Sequence, residues 1–165
     1  MYNDSKLRKT SDFYEIDYFS KSDVIDWLTN LEKYSKIKDY TLTDEEIEII
    51  WDTLGGSPWE IQLLLSKRFD ADTKSVCAKY VNQMKSLIAD YVFWKEQDEK
   101  LKILKYFVDK NSRKIEEFKN VKNELLKDMV HNNILYFNPV NASFSPQGRS
   151  IELGIKMYFE NNNTK

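Results

Sequence analysis

The sequence predicts a mostly α-helical protein that carries one small β-hairpin near its end. The 165 residues include only four glycines and three prolines, too few for the many tight turns of a large sheet. Apolar residues recur at helical spacing along most of the chain, and helix start and stop signals frame these stripes. The length suits one domain of ordinary size or two small ones.

The first structural signal is the segment Phe13–Phe19, in which apolar and aromatic residues partly alternate with polar ones. This pattern predicts a short strand or an extended segment. A helix start signal follows at Ser20 to Asp23. The next residues include an apolar stripe at helical spacing, typical of a helix that faces a core: Val24, Ile25, Trp27, Leu28 and Leu31.

A second helix is predicted to start at Thr43. Thr43 and Glu46 have the spacing of a capping box, in which the Thr43 hydroxyl accepts from the Glu46 N–H and the Glu46 carboxylate bonds back to the Thr43 N–H. The helix is acidic in its first turn and is expected to run to Leu54. Gly55 is expected to end it in a left-handed conformation.

A third helix is predicted to begin almost at once. Ser57 is its expected N-cap, Pro58 takes the first helical position, and Glu60 completes a second capping box. The result is a rigid helix–Gly-Gly–helix corner with free N–H groups and the positive end of a helix dipole. Such a corner can bind phosphate or the edge of a nucleotide, but most are tight turns between packed helices. The local pattern alone leaves both interpretations open.

A long helical stretch is predicted from about Val76 to Trp94. The run Lys95–Lys100 then contains no apolar residue. Charged runs of this kind are usually solvated faces or linkers. We therefore predict a boundary there, with one helical domain over residues 1–95 and a second domain over residues 96–165.

The second domain is predicted to contain three helices and a β-hairpin, which is the plan of a winged helix. The helices are expected at Leu101–Asp109, near Ile115–Phe118 and at about Val121–His131. The hairpin is expected to have strands at Ile134–Phe137 and Ala142–Ser145 around a turn at Asn138–Asn141. A terminal helix should follow Pro146-Gln147-Gly148-Arg149 and continue through Tyr158.

Two stretches carry a family resemblance. One is Gly55-Gly56-Ser57-Pro58, which follows a helix containing Trp27-Leu28 and an acidic capped helix; the other is the hairpin with its Pro-Gln-x-Arg-like helix entry, NNILYFNPVNASFSPQGRSIEL. Both resemble the C-terminal lid and winged-helix region of archaeal-type P-loop ATPases, in the STAND branch of the AAA+ class. The resemblance covers most of the chain. It implies a helical lid-like bundle followed by a winged-helix domain with a small β-hairpin.

The resemblance also implies a function. In that family the Gly-Gly-x-Pro corner lies over the bound nucleotide, so an adenine or ribose is expected to contact Gly55, Gly56, Ser57, Pro58 and Trp59. The chain would be the non-catalytic C-terminal region of a P-loop ATPase and would couple the nucleotide state to a winged-helix interaction domain. Its partner would be the missing N-terminal ATPase core, which would bind ATP or ADP with Mg.

Residues for hydrolysis are absent from the sequence itself. There is no Gly-x-x-x-x-Gly-Lys-Ser/Thr loop for phosphates and no apolar strand that ends in paired acids for magnesium. We therefore expect this chain alone to be inactive and to hold no cofactor or metal. The single Cys77 is expected to be buried, and the single His131 is expected near a helix end or exposed.

Charge is distributed unevenly along the chain. Residues 101–160 carry ten cations against seven carboxylates, a net of +3, whereas residues 1–100 have a net of −6. The candidate nucleic-acid or partner-binding residues are Lys114, Lys119, Lys122, Lys127 and Arg149. Acidic residues are interspersed with them and the hairpin loop carries no cation, so we favour a protein partner over DNA. A free-standing winged-helix DNA-binding or adaptor protein is the alternative, and a helical interaction domain without a nucleotide is a third.

The cellular setting is predicted from composition. The formal net charge is −2, and no apolar run approaches the length of a membrane span. No signal-peptide pattern opens the chain, and a single cysteine suits a reducing compartment. We expect a cytoplasmic protein without a membrane partner.

Overall fold

The structure is a computed structural model that describes residues 18–34, 41–67 and 72–162. These ranges contain eight α-helices, one 3₁₀ helix and a three-stranded antiparallel sheet. The predicted fold class, mostly α with a small β-hairpin, is confirmed. Most of the predicted strand Phe13–Phe19 lies outside the described residues; its last two residues, Tyr18 and Phe19, precede the first helix and belong to no strand.

The helices follow in chain order. They are α1 Lys21–Thr29, α2 Leu31–Tyr34, α3 Asp44–Leu54, α4 Pro58–Lys67, α5 Thr73–Phe93, α6 Gln97–Asp109, the 3₁₀ helix Ile115–Phe118, α7 Asn123–His131 and α8 Arg149–Asn162. The strands are β1 Arg113–Lys114, β2 Leu135–Asn138 and β3 Ser143–Pro146.

Side-chain caps start α1 and α3 where the sequence predicts them, and a cap that was not predicted starts α5. Ser20 and Asp23 form a capping box at α1, and Thr43 and Glu46 form one at α3. At α5 the Asp72 carboxylate accepts from the Ser75 N–H at 2.9 Å. Each cap satisfies an N–H group that has no partner within its own helix.

The buried apolar residues form two clusters. The first cluster lies among α1 to α4 and the first half of α5, and includes Val24, Leu28, Ile47, Ile50, Leu54, Ile61, Leu64 and Cys77. The second cluster lies among the second half of α5, α6, α7, the sheet and α8, and includes Ile88, Val92, Leu104, Phe107, Phe118, Met129, Phe144 and Ile155. Met84, on the continuous helix α5, packs against both clusters.

The charged run Lys95–Lys100 is only partly a solvated linker. Helix α5 ends at Phe93 and α6 begins at Gln97, so the predicted interruption is present. Lys100, however, is 6% exposed, and its Nζ donates to the Tyr91 carbonyl at 2.9 Å. The expectation of a solvated run is therefore wrong at Lys100, because its amine satisfies a carbonyl in the last turn of α5 while its aliphatic stem is buried. The division into residues 1–95 and 96–165 stays a prediction.

The last third has the predicted order of a helix, a short helix, a third helix and a hairpin. Strand β2 pairs with β3, and Phe137 lies opposite Phe144. Both strands begin and end one residue later than predicted. The Asn138 side chain accepts from the N–H groups of Val140 and Asn141 and so stabilises the turn. The additional strand β1 pairs with the other edge of β3. Two residues are too few to produce a periodic signal, so the sequence did not predict β1.

Helix α8 runs along α5 and closes the second cluster. Gly154 lies where the two helices touch, and a Cβ added there would be 2.9 Å from the carbonyl carbon and Cβ of Met84. Only a residue without a side chain permits this approach of two backbones. The start of α8 consequently reaches the first cluster, where it meets the end of α3 and the start of α4.

Candidate functional site

The segment Gly55–Trp59, called the corner below, joins α3 to α4. The Gly55 N–H donates to the Trp51 carbonyl at 2.8 Å and ends α3, as predicted. Its φ of +59° is positive, but its ψ of −142° lies outside the left-handed helical region that the sequence analysis expected. That combination is open almost only to glycine.

Gly56 is buried beneath the segment that precedes α1. The Phe19 N–H donates to the Gly56 carbonyl at 2.9 Å. A Cβ on Gly56 would be 1.9 Å from the Phe19 carbonyl oxygen, an impossible contact. One side of the corner is therefore covered by the chain itself, whereas the Trp59 side chain is exposed.

The first turn of α4 differs from its prediction in one respect. Ser57 caps the helix, with its Oγ accepting from the Glu60 N–H at 3.4 Å. The predicted return bond from Glu60 to the Ser57 backbone is wrong. The Glu60 carboxylate instead accepts from the Tyr80 hydroxyl at 3.0 Å and from the Ser150 hydroxyl at 2.6 Å. The Tyr80 and Ser150 hydroxyls together satisfy this partly buried carboxylate better than the single Ser57 N–H would.

The two other residues of the α4 start face different surroundings. Pro58 is half-buried at the first helical position. Trp59 is 68% exposed, a large aromatic surface in contact with solvent. An aromatic ring in this position offers a flat face for stacking by a planar ligand.

The second sequence motif meets the corner in space. The Arg149 Nε donates to the Asp52 carbonyl of α3 at 3.1 Å, and the Arg149 Cβ would be 3.1 Å from a Cβ on Gly55. The Tyr18 hydroxyl donates to the Gln147 carbonyl at 2.7 Å. With the Glu60–Ser150 bond, which joins residues 90 positions apart, these contacts hold the start of α8 against the corner.

Three charged residues lie along the first turns of α8. Glu152 is 7% exposed and accepts from Arg149 at 2.8 Å and from Lys156 at 2.7 Å. Burial by itself would raise the pKa of Glu152, but hydrogen bonds and charge from Lys156 and Arg149 lower it below its ordinary value. Arg149 thus contributes a partly exposed cation beside the corner.

Tyr80 contributes the second donor to Glu60 from within the first cluster. Burial first, and then the charge and hydrogen bond of Glu60, raise the pKa of Tyr80. Its hydroxyl therefore remains protonated and continues to donate at any physiological pH. Sequence reasoning missed the pairing of Glu60 with Tyr80 and Ser150, because no local pattern indicates a contact between three distant segments.

The five predicted partner-binding cations lie on or beside different elements. Lys114 donates to the Asn141 carbonyl in the hairpin loop at 2.8 Å, and Lys122 pairs with Glu96 at 3.4 Å. Lys119 follows the 3₁₀ helix, and Lys127 is exposed on α7. Arg149 lies apart from these four, at the corner.

Cys77 and His131 occupy the positions expected of them. Cys77 is 3% exposed in the first cluster, and burial raises the pKa of its thiol. His131 is the exposed last residue of α7. Within the described ranges, no group of three or more His, Cys, Asp or Glu residues is arranged to hold a metal ion.

The fold and the site together define a mostly α-helical protein with a small sheet, in which a glycine-rich corner of the first cluster contacts the last helix. No protein-family model matches the chain, and no solved structure matches it significantly. In the part of the chain that is described, no helix has both the length and the apolar character needed to cross a bilayer.

Curated relatives are similar to most of the chain. The chain is 25% identical over 156 residues to an uncharacterized ATP-binding protein of Pyrococcus abyssi, in a match that covers 94% of this chain and 42% of that protein. It is 29% identical over 166 residues to an uncharacterized ATP-binding protein of Methanocaldococcus jannaschii, covering 94% of this chain and 43% of that protein. The chain thus spans about two fifths of the length of these relatives.

Proposed function

We propose that the chain is the C-terminal, non-catalytic region of a P-loop ATPase of the STAND branch of the AAA+ class. It would couple the nucleotide state of an N-terminal ATPase core to a winged-helix domain. The observation that carries the proposal is that the start of α8 bonds to Asp52 and Glu60, which flank the corner, because these bonds bring together the two segments that resemble this family. The names of the relatives and their greater length support it.

The nucleotide would come from the core, as ATP or ADP with Mg. At the corner, Trp59 offers an exposed ring for the base, Ser57 and Pro58 shape the start of α4, and Arg149 lies beside them in an ion pair with Glu152. Gly55 and Gly56 act through shape, since one has a backbone conformation that requires glycine and the other touches Phe19. The parent would hydrolyse ATP in the cytoplasm, and this region would respond.

The winged-helix assignment rests on the order of elements. Helix α6, the 3₁₀ helix, α7 and the β2–β3 hairpin follow one another, with β1 on the free edge of β3. We propose a protein partner for this domain. Lys122 is paired with the Glu96 carboxylate, which offsets its charge, and the Lys114 amine is engaged by the Asn141 carbonyl; binding to a phosphate backbone would replace both interactions.

The decisive experiment compares two equally exposed tryptophans in the parent polypeptide. Trp59 and Trp94 are each 68% exposed, but only Trp59 belongs to the corner. We expect Trp59→Ala to weaken ADP–Mg and ATP–Mg binding about tenfold, from the roughly 1–3 kcal/mol that stacking of a base on an aromatic ring contributes. Calorimetry measures both affinities, and Pro58→Ala should weaken them less. Unchanged affinity in Trp59→Ala and Pro58→Ala, as in Trp94→Ala, would refute the sensor role.

A second candidate is a winged-helix module that binds DNA. Lys119, Lys122 and Lys127 are exposed at or near α7, which favours it. Duplex binding by the chain should then fall steeply as salt increases, and Lys119→Ala with Lys122→Ala should reduce the salt dependence. Binding without these properties would exclude this candidate.

A further inference from the structure

Two connections between the hydrophobic clusters lie within the described part of the chain. One is α5, a continuous helix of 21 residues that passes from the first cluster into the second. The other is the start of α8, where polar groups of α3 and α4 bond to Arg149 and Ser150. Any change in how the clusters are oriented must bend α5, alter the α8 contact, or both.

The interruption between α5 and α6 lies within the second cluster. Val92 before the break and Ile103 after it both belong to that cluster. The Tyr91 carbonyl accepts a hydrogen bond from the Lys100 amine, and the Tyr91 hydroxyl donates to the Asp128 carboxylate of α7 at 2.6 Å. Motion at this break would therefore rearrange the inside of the second cluster and would leave its orientation to the first cluster unchanged.

Glu60 links the corner to the second cluster. It follows Trp59 directly in the first turn of α4, so that a displacement of the α4 start moves both residues. Its Oε1 accepts from Tyr80 of the first cluster and from Ser150, which is 1% exposed and precedes the buried Ile151 of the second cluster. One carboxylate oxygen thus contacts both parts of the molecule.

We propose that Glu60 is a positioning residue that transmits displacement of the corner to α8 through Ser150. Without ligand, its carboxylate holds the first turn of α8 against α4 and sets the orientation of the second cluster. With nucleotide at the corner, a shift of the α4 start moves Ser150 and the attached helix. The movement of α8 with nucleotide rests on the function proposed above, whereas the holding role of Glu60 without ligand concerns the chain alone.

Spin labels on the two clusters test whether Glu60 holds the first turn of α8 against α4. Labels at Gln62→Cys on α4 and Lys127→Cys on α7, both exposed positions, are attached to the chain with Cys77→Ala. We expect a narrow distribution of label distances, and a width about twofold larger in Glu60→Ala and Ser150→Ala. Asp128→Ala is the matched control, since Asp128 also accepts from a tyrosine hydroxyl but acts inside the second cluster.

Folding is checked by helical content. If Glu60→Ala reduces the helical content, the positioning role is judged from Ser150→Ala alone. That variant removes one hydroxyl and leaves Tyr80 to satisfy the Glu60 carboxylate. A distance distribution as narrow in Ser150→Ala as in the unaltered chain would overturn the positioning role. A distribution as broad in the Asp128→Ala control as in Ser150→Ala would overturn it too.

The same labels in the parent polypeptide test whether nucleotide at the corner moves Ser150 and α8. ADP–Mg or ATP–Mg should shift the distance, and Ser150→Ala should remove most of the shift while nucleotide affinity changes less than twofold. A full shift in Ser150→Ala would refute transmission through Glu60. No shift in the unaltered parent would refute the proposed sensing function, and the widths measured without nucleotide would still decide the role of Glu60 in the chain.

Discussion

The two clusters differ in how their helices begin. In the first region, the side chains of Ser20 and Thr43 cap α1 and α3, and Asp72 caps α5 where that helix enters the first cluster. In the second region, α6 follows Glu96 and α7 follows Lys122, and within the described structure neither residue makes a side-chain cap bond. Side-chain caps therefore begin the helices of the first region, whereas α6 and α7 begin without one.

The interiors differ as well. The first cluster is mainly aliphatic, with Trp27 and Trp51 packed at its margin. The second has Phe118 at its centre, stacked on Phe107 with ring centroids 6.1 Å apart and edge-on to Phe144 at 5.4 Å. These rings come from α6, the 3₁₀ helix and β3, so this interior forms only when distant segments meet.

The largest expected effect comes from removing a fully buried ring of the second cluster. Phe107 is fully buried, and Phe107→Ala should lower the free energy of unfolding by about 3–5 kcal/mol through lost burial and a cavity. Chemical denaturation followed by circular dichroism measures it. Phe93→Ala, at a residue that is 70% exposed, is the control and should change stability by less than about 0.5 kcal/mol. A similar loss in both variants would contradict the described interior.

A smaller loss is expected where α8 crosses α5. Gly154→Ala adds a Cβ within 2.9 Å of Met84 and should destabilise the chain by about 1–2 kcal/mol, since overpacking exceeds the gain in helix propensity. Thermal or chemical denaturation checks this value. Ser86→Ala, on the exposed face of α5, should be nearly neutral. Stabilisation by Gly154→Ala would mean that the two backbones lie farther apart.

The difference in capping can be reversed by mutation. Thr43→Ala removes a capping box and should cost about 1 kcal/mol, whereas Lys122→Ser adds a cap at α7 and should gain about 0.5–1 kcal/mol. Lys122 already has extended backbone angles, φ −63° and ψ 128°, that suit an N-cap. Denaturant midpoints measure both variants. Loss of stability in Lys122→Ser would show that its pairing with Glu96 matters more than capping.

The smallest effect concerns pH. Because the pKa of Glu152 is lowered in the folded chain, its ionised form stabilises the fold at neutral pH, and this contribution disappears as pH falls below 4.5. Glu152→Gln should therefore destabilise by about 1 kcal/mol or less at pH 7 and by progressively less in acid. Unfolding measured from pH 7 to pH 3 tests this, with Glu99→Gln on exposed α6 as control. An equal difference at every pH would contradict the ionic role.

The sequence predicted where the helices at the corner end and begin, but it did not predict the contacts that surround the corner. Gly55 ends α3 and Ser57 caps α4, because each acts within four residues of its partner. The close approach of Phe19 to Gly56, and the bonds from Tyr80 and Ser150 to Glu60, involve segments far apart in the chain. No pattern of a single stretch contains that information.

The sequence by itself determined the helical class, the starts of α1 and α3, the break after α5 and the hairpin, since spacing, caps and turn residues act over a few positions. The tertiary structure alone decided that Lys100 is buried, that β1 extends the sheet, and that α8 begins against the corner. Those features depend on which surfaces meet after the chain collapses. The buried Lys100 amine is stable there because its acceptor comes from α5, and the partly buried Glu60 carboxylate because its donors come from α5 and α8.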